Sequence, residues 1–246
     1  MTILLNGVSY TVDLSTATDI SLGIKREGNV NAYYLDEPTF EPFRAEGFTG
    51  SIAEGGSVNC EKLTFYPHGN GTHTECVRHI ANLDCNMLSM HPDPFLLAEV
   101  VSVNPHLTAK QDFAITLESL EHIELHAGVQ ALVVRTMPND TGKPEAGYSG
   151  KNPVYFEPSA ILWMKERHIK HLLTDLPSVD PEIDGGQMLA HREFFHYPKD
   201  PDLKATITEL IYVPDSINDG TYLLNLQTPS IETDAVPSRP LLFKMS

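Results

Sequence analysis

Residues 67–79 read Pro67-His68-Gly69-Asn70-Gly71-Thr72-His73-Thr74-Glu75-Cys76-Val77-Arg78-His79. Imidazole and carboxylate are common ligands of divalent transition metals, and both are concentrated here. If Thr72 to Val77 is extended, alternate side chains share a face, so His73 and Glu75 point the same way. His68 lies across the bend at Gly69-Asn70-Gly71, where glycines allow a sharp turn, and strand parity leaves its direction open. A bulge at Asn70-Gly71 would let it reach the same site. His79 falls just past the strand. By the same parity Cys76 faces away, which favours a buried structural thiol over a ligand or nucleophile. The spacing alone suits a metal centre and equally a His-rich loop with half-buried, hydrogen-bonded rings.

The stretch resembles the signature of the metal-dependent cyclase family, which includes the bacterial kynurenine formamidases. That signature runs His-x-Gly-Thr-His-x-Asp-x-Pro-x-His. Gly71, Thr72, His73 and His79 match it. Three positions depart: the first His falls on Gly69, with His68 one residue early; the Asp is Glu75; the Pro is Val77. Later segments agree. Arg135-Thr136 is similar to a family strand ending, and Asp175, Ser178, Val179 and Asp180 match a Gly-Ile-Asp-x-x-Ser-Val-Asp segment, with Leu173 at the Gly position. The resemblance also implies a metal-ligand histidine at His191 and a ligand glutamate at Glu209.

Glu209 has independent support. Thr206-Ile207-Thr208-Glu209-Leu210-Ile211-Tyr212-Val213 reads as a strand, and parity puts Glu209 with Ile207 and Ile211. A carboxylate among aliphatics is costly unless it is paired or metal-bound. Lys204 or Arg192 would be the ordinary partner. At Arg135 a strand-end salt bridge is the ordinary alternative to substrate contact.

The elements that must position these groups follow from periodicity. Residues 2–14 read as a hairpin around Asn6-Gly7. Residues 16–58 read mainly as long loops with one or two short strands, and 61–66 as a strand entering the histidine motif. His91-Pro92-Asp93-Pro94 is a loop. Residues 95–103 and 129–136 are apolar runs expected to be buried strands. The spacing predicts helices over 115–125 and from Glu157-Pro158-Ser159 to His168, with Trp163 packing the second on the sheet. His122 and His126 are four apart on the first, without a surrounding Glu-containing frame, so an exposed polar face accounts for them. Strands are expected at 169–173, 221–226 and 239–244. The fold expected is α/β, one domain over 1–246, with a mixed central sheet and helices outside. The resemblance adds a swivelling β/β/α arrangement and a homodimer.

The chain has 246 residues and a net charge of −16, which argues against nucleic acid and anionic membranes as partners. Three cysteines do not make a disulfide framework. No apolar run is long enough to span a bilayer, and a cytoplasmic protein is the simplest reading.

The chemistry implied is metal-assisted hydrolysis of a carbon–nitrogen bond in a small amide, formamide or cyclic imide. His73, Glu75, His191 and Glu209, with His68 as a further ligand, would hold one or two zinc or manganese ions. By the family resemblance, His79 would be the general acid/base. Two other readings stand beside it: a catalytically inactive metal-binding or scaffold protein of the same fold, and a thiol enzyme using Cys76 with His79.

Overall fold

The computed structural model describes residues 1–5, 7–90 and 93–245. Asn6 of the expected turn and His91-Pro92 of the expected loop lie outside the described residues. The hairpin itself is present, with Thr2–Leu5 antiparallel to Val8–Thr11.

A nine-stranded mixed sheet carries the site. Its strands in chain order are β1 (Thr18–Asp19), β2 (His73–Glu75), β3 (Phe95–Val103), β4 (Ala131–Thr136), β5 (His171–Thr174), β6 (Thr206–Glu209), β7 (Gly220–Asn225), β8 (Ala235–Pro237) and β9 (Leu241–Lys244). In space they run β8-β2-β6-β5-β4-β3-β7-β9-β1. The neighbours β3, β4, β5 and β6 are parallel, and every other pairing is antiparallel. Both faces of the central strands are buried, which explains their unbroken apolar runs. Leu132 and Val134 face one core with Trp163, Met164 and Phe194. Ala131 and Val133 face another with Ile20, Ile211 and Val213.

Among the described residues the α-helices are few: α1 (Pro67–Asn70), α2 (Leu117–Leu120), α3 (Pro158–Glu166) and α4 (Leu189–Phe194). The pair α3 and α4 covers the first face, and Trp163 is buried there as expected. No described helix is long and apolar enough to cross a membrane.

Three expectations are corrected. Helix 115–125 shrinks to the single turn α2, because Phe113–Ile115 is a strand between His106–Leu107 and Tyr155–Phe156. Thr116 and Ser119 close a capping box just after it. The strand at 206–213 ends at Glu209, because Leu210 has φ 56°. That left-handed residue breaks the alternation, so Ile207 and Ile211 enter different cores. Residues 16–58 hold more strand than expected, including Thr39–Pro42, which pairs with Glu61–Thr64, and the Arg44–Ala45/Phe48–Thr49 hairpin.

Candidate metal centre

Register assembles the site. On β2, Thr74 bonds Thr208 and Ser238 on one face, which leaves His73 and Glu75 on the other. Antiparallel pairing sets Glu209 of β6 opposite His73 and Ile207 opposite Glu75. Cross-strand partners have Cβ atoms only about 5 Å apart, and His73 Nε2 comes 3.3 Å from Glu209 Oε2. On its other edge β2 pairs with β8, Ala235 opposite Glu75. That pairing brings Asp234, the residue before β8, to the same centre.

His68 reaches the site by a helical turn and not by a bulge. Pro67 starts α1, and Asn70 Oδ1 accepts from the Tyr66 N–H at 2.7 Å. His68 Nδ1 then lies 3.3 Å from Glu75 Oε2, and its Nε2 lies 3.0 Å from Asp234 Oδ2. The position one residue later is crowded for any side chain. A Cβ on Gly69 would stand 2.7 Å from Leu35 Cδ1 and 3.0 Å from the Ala32 carbonyl oxygen.

His191, on α4, completes the ring. Asp180 accepts the backbone N–H groups of Ala190 and His191 and lies 2.6 Å from His191 Nδ1. The opposite ring nitrogen, Nε2, faces Glu75 Oε1 at 2.9 Å. Glu209 Oε1 accepts the Val179 N–H. Among the described residues no lysine or arginine pairs with Glu209. Arg192 donates to the Gln187 carbonyl instead. All five expected ligands, His68, His73, Glu75, His191 and Glu209, therefore converge, and His79 joins them with Nδ1 3.8 Å from Glu75 Oε2.

The donor set fits a divalent cation. His73 Nδ1 is 3.1 Å from the Gly71 carbonyl oxygen, so that nitrogen carries the proton and Nε2 carries a lone pair. His73 Nε2 and Glu75 Oε2 are buried with no hydrogen bond. His191 is fixed in the same sense by Asp180, which leaves a lone pair against the Glu75 carboxylate. Lone pairs facing carboxylate oxygens need a proton or a cation between them. Burial alone would push the His191 imidazole down, but the Glu75 charge and the Asp180 bond outweigh it and raise it to about 10. For His68, burial also pulls down, and the Asp234 bond and the Glu75 charge raise it to about 10. The Glu75 carboxyl is held well below its ordinary range, because the charges of His79 and His191 beside it overcome its burial. Two triads emerge, His68-Glu75-His79 and His73-Glu75-Glu209, and Glu75 belongs to both.

This geometry makes the comparisons with known proteins specific. Residues 12–181 match the family model Cyclase, described as "Putative cyclase". The chain is 30% identical over 197 residues to a kynurenine formamidase of Geobacillus thermodenitrificans, covering 78% of this chain and 84% of the relative. It belongs to the cyclase family. A kynurenine formamidase of Bacillus cereus is 30% identical over 208 residues, covering 83% of this chain and 89% of the relative. Solved cyclase-family structures share the fold. A protein described as a "predicted metal-dependent hydrolase" from Bacillus stearothermophilus superposes with TM-score 0.64 at 18% identity, covering 92% of this chain and 97% of that one. Isatin hydrolase A from Ralstonia solanacearum gives 0.66 at 12%, covering 92% and 91%.

Several site residues were not legible as such in the sequence. Asp180 matched the family segment but carried no role there. Tyr33, with φ 60°, donates to the Pro177 carbonyl, and burial and the nearby Glu209 charge raise its phenol. Asp234 had only one signal, a carboxylate ahead of the short apolar run Ala235-Val236. Cys76 is buried as parity required, 3.5 Å from the Asp234 carbonyl oxygen, and burial pushes its thiol up to about 12. Arg135 is a structural residue, tied to Asp219, Ser102 and the carbonyls of Pro214 and Ile217.

Proposed function

We propose that this cyclase-family chain is a metal-dependent hydrolase that cleaves the carbon–nitrogen bond of a small amide, formamide or cyclic imide. The observation that carries this reading is Glu75, a fully buried carboxylate shared by two clusters of histidine and carboxylate side chains. A buried carboxylate costs several kcal/mol unless it is compensated, and a divalent cation compensates it. The relatives named kynurenine formamidase and isatin hydrolase support the choice of bond. Zinc or manganese suits the N/O donors, with one or two ions per chain. Such an ion lowers the pKa of bound water to about 7 and withdraws charge from a carbonyl oxygen.

The chain's own residues do the rest. His73, Glu75, His191 and Glu209, with His68, hold the cation. Asp180 and the Gly71 carbonyl keep two of the imidazoles turned inward. His79 is only half-buried, with its side chain 25% exposed, and its Nδ1 is held at 3.1 Å by Asp234. Its Nε2 is the nitrogen that delivers a proton to the leaving amine or imide nitrogen. A scaffold would not require an imidazole oriented in this way beside the ligands. The burial and raised pKa of Cys76 weigh against the thiol reading. The same reading takes residues 1–246 as one catalytic domain, assembled as a homodimer. It places the protein in the cytoplasm, where Cys60, Cys76 and Cys85, free here, stay reduced.

The test is metal analysis of untagged protein, followed by assay of zinc- and manganese-loaded protein on aryl formamides and cyclic imides. Bound metal with turnover that a chelator abolishes is expected. Protein that neither carries nor takes up metal defeats the reading.

A further inference from the structure

We propose that Asp234 is the positioning residue of this centre, one carboxylate oxygen that sets the orientation of His68 and His79 together. This rests on the reading of His68 as a ligand and His79 as the proton carrier.

The geometry is a fork. Asp234 Oδ2 lies 3.0 Å from His68 Nε2 and 3.1 Å from His79 Nδ1. The two rings are neighbours, tilted by 36° with centroids 4.4 Å apart. Asp234 is itself held on three sides. Thr233 Oγ1 donates to Oδ1 at 2.9 Å, the Cys76 N–H donates to the Asp234 carbonyl at 3.1 Å, and Ala235 pairs with Glu75 across the sheet. The carboxylate is thus aimed by the β8–β2 register and not by chance rotation.

A carboxylate oxygen only accepts, so each ring must present N–H to it. His68 therefore carries its proton on Nε2, and Nδ1, 3.3 Å from Glu75 Oε2, is left for the cation. His79 carries its proton on Nδ1, which removes that nitrogen from metal binding and leaves Nε2 to exchange protons with substrate. One side chain so divides two neighbouring imidazoles between ligation and proton transfer. It also makes the early histidine, His68, usable beside a Gly69 position that Leu35 and the Ala32 carbonyl crowd.

The experiment compares the full-length parent with Asp234→Ala and Asp234→Asn. Long-range proton–nitrogen correlation spectra of the histidine rings report the tautomers, and calorimetric titration with zinc reports affinity. In the parent, the His79 ring carries Nδ1–H toward Asp234. In Asp234→Ala it relaxes to the mixture of an unrestrained imidazole, and zinc binds about 10–100-fold more weakly, the usual cost of losing a ligand's outer partner. Asp234→Asn keeps one acceptor oxygen and the side-chain shape, and falls between the two, so the test survives if the alanine variant does not fold. His79 holding Nδ1–H in both variants, with zinc affinity unchanged, overturns the proposal. A parent that binds no zinc removes the metal reading instead, and the His79 tautomer still decides on Asp234.

Discussion

His191 Nε2 stands 2.9 Å from Glu75 Oε1, with both side chains buried and the opposite ring nitrogen committed to Asp180 at 2.6 Å. Two groups that would both accept are pressed together. Without metal, a proton must fill the gap.

A pH dependence follows. The metal-free fold raises His191 and His68 from the ordinary 6.5 to about 10. Between those values the folded chain binds more protons than the unfolded one, so its stability falls as pH rises. The contribution is complete below pH 6.5 and lost through about pH 10. The urea midpoint of metal-free protein should drop from pH 7 to pH 9.5. Zinc replaces these protons, so its apparent affinity should rise over the same interval. A midpoint that climbs with pH contradicts the assignment.

Glu209→Ala and His191→Ala should each weaken zinc binding by about 100-fold or more, since even the loss of outer partners costs 10–100-fold. Calorimetry on each variant decides. If either binds zinc as the parent does, that residue is not a ligand.

His79→Ala should keep its metal and lose turnover by about 10²–10⁴-fold, the usual range for a positioned acid/base. Metal analysis and kinetics on the same sample separate the two effects. Undiminished turnover would assign proton transfer elsewhere.

Restoring the family's pattern should harm this chain. Gly69→His places a Cβ 2.7 Å from Leu35 Cδ1, and overpacking of this kind costs about 1–3 kcal/mol. Glu75→Asp retracts the carboxylate by about 1.5 Å, one carbon–carbon bond, and it then no longer reaches His191 and His68 together. Thermal melts should show a lower Tm for the first. Metal titration should show weaker binding for the second. A gain in either quantity would mean the site tolerates the family's spacing.

Cys76 should resist chemistry. It is 1% exposed with its thiol raised to about 12, whereas Cys60 is exposed. Iodoacetamide at pH 8 should label Cys60 well before Cys76, as read by peptide mass mapping. Rapid alkylation of Cys76 with loss of turnover would return the thiol mechanism to consideration.

Local rules in the sequence determined a good deal. Alternation along a strand placed His73 and Glu75 on one face and Cys76 on the other, and the structure agrees because β2 is regular. The apolar runs at 95–103 and 129–136 became β3 and β4, since length and composition suffice for a strand buried on both faces. A carboxylate in the run of β6 pointed through its burial cost to a charge partner or a metal, and the family resemblance chose the metal. Tertiary structure decided the rest. The β2–β6 register sets Glu209 opposite His73, and no local period encodes pairing between strands more than a hundred residues apart. The β8–β2 register brings Asp234 to His68 across 166 residues. Leu210 turns left-handed and sends Ile211 to the other core, an event that parity could not anticipate. Packing of Ala32 and Leu35 crowds Gly69, while a helical turn carries His68 to the site. Spacing names the residues able to do chemistry, but only register and packing determine which of them meet.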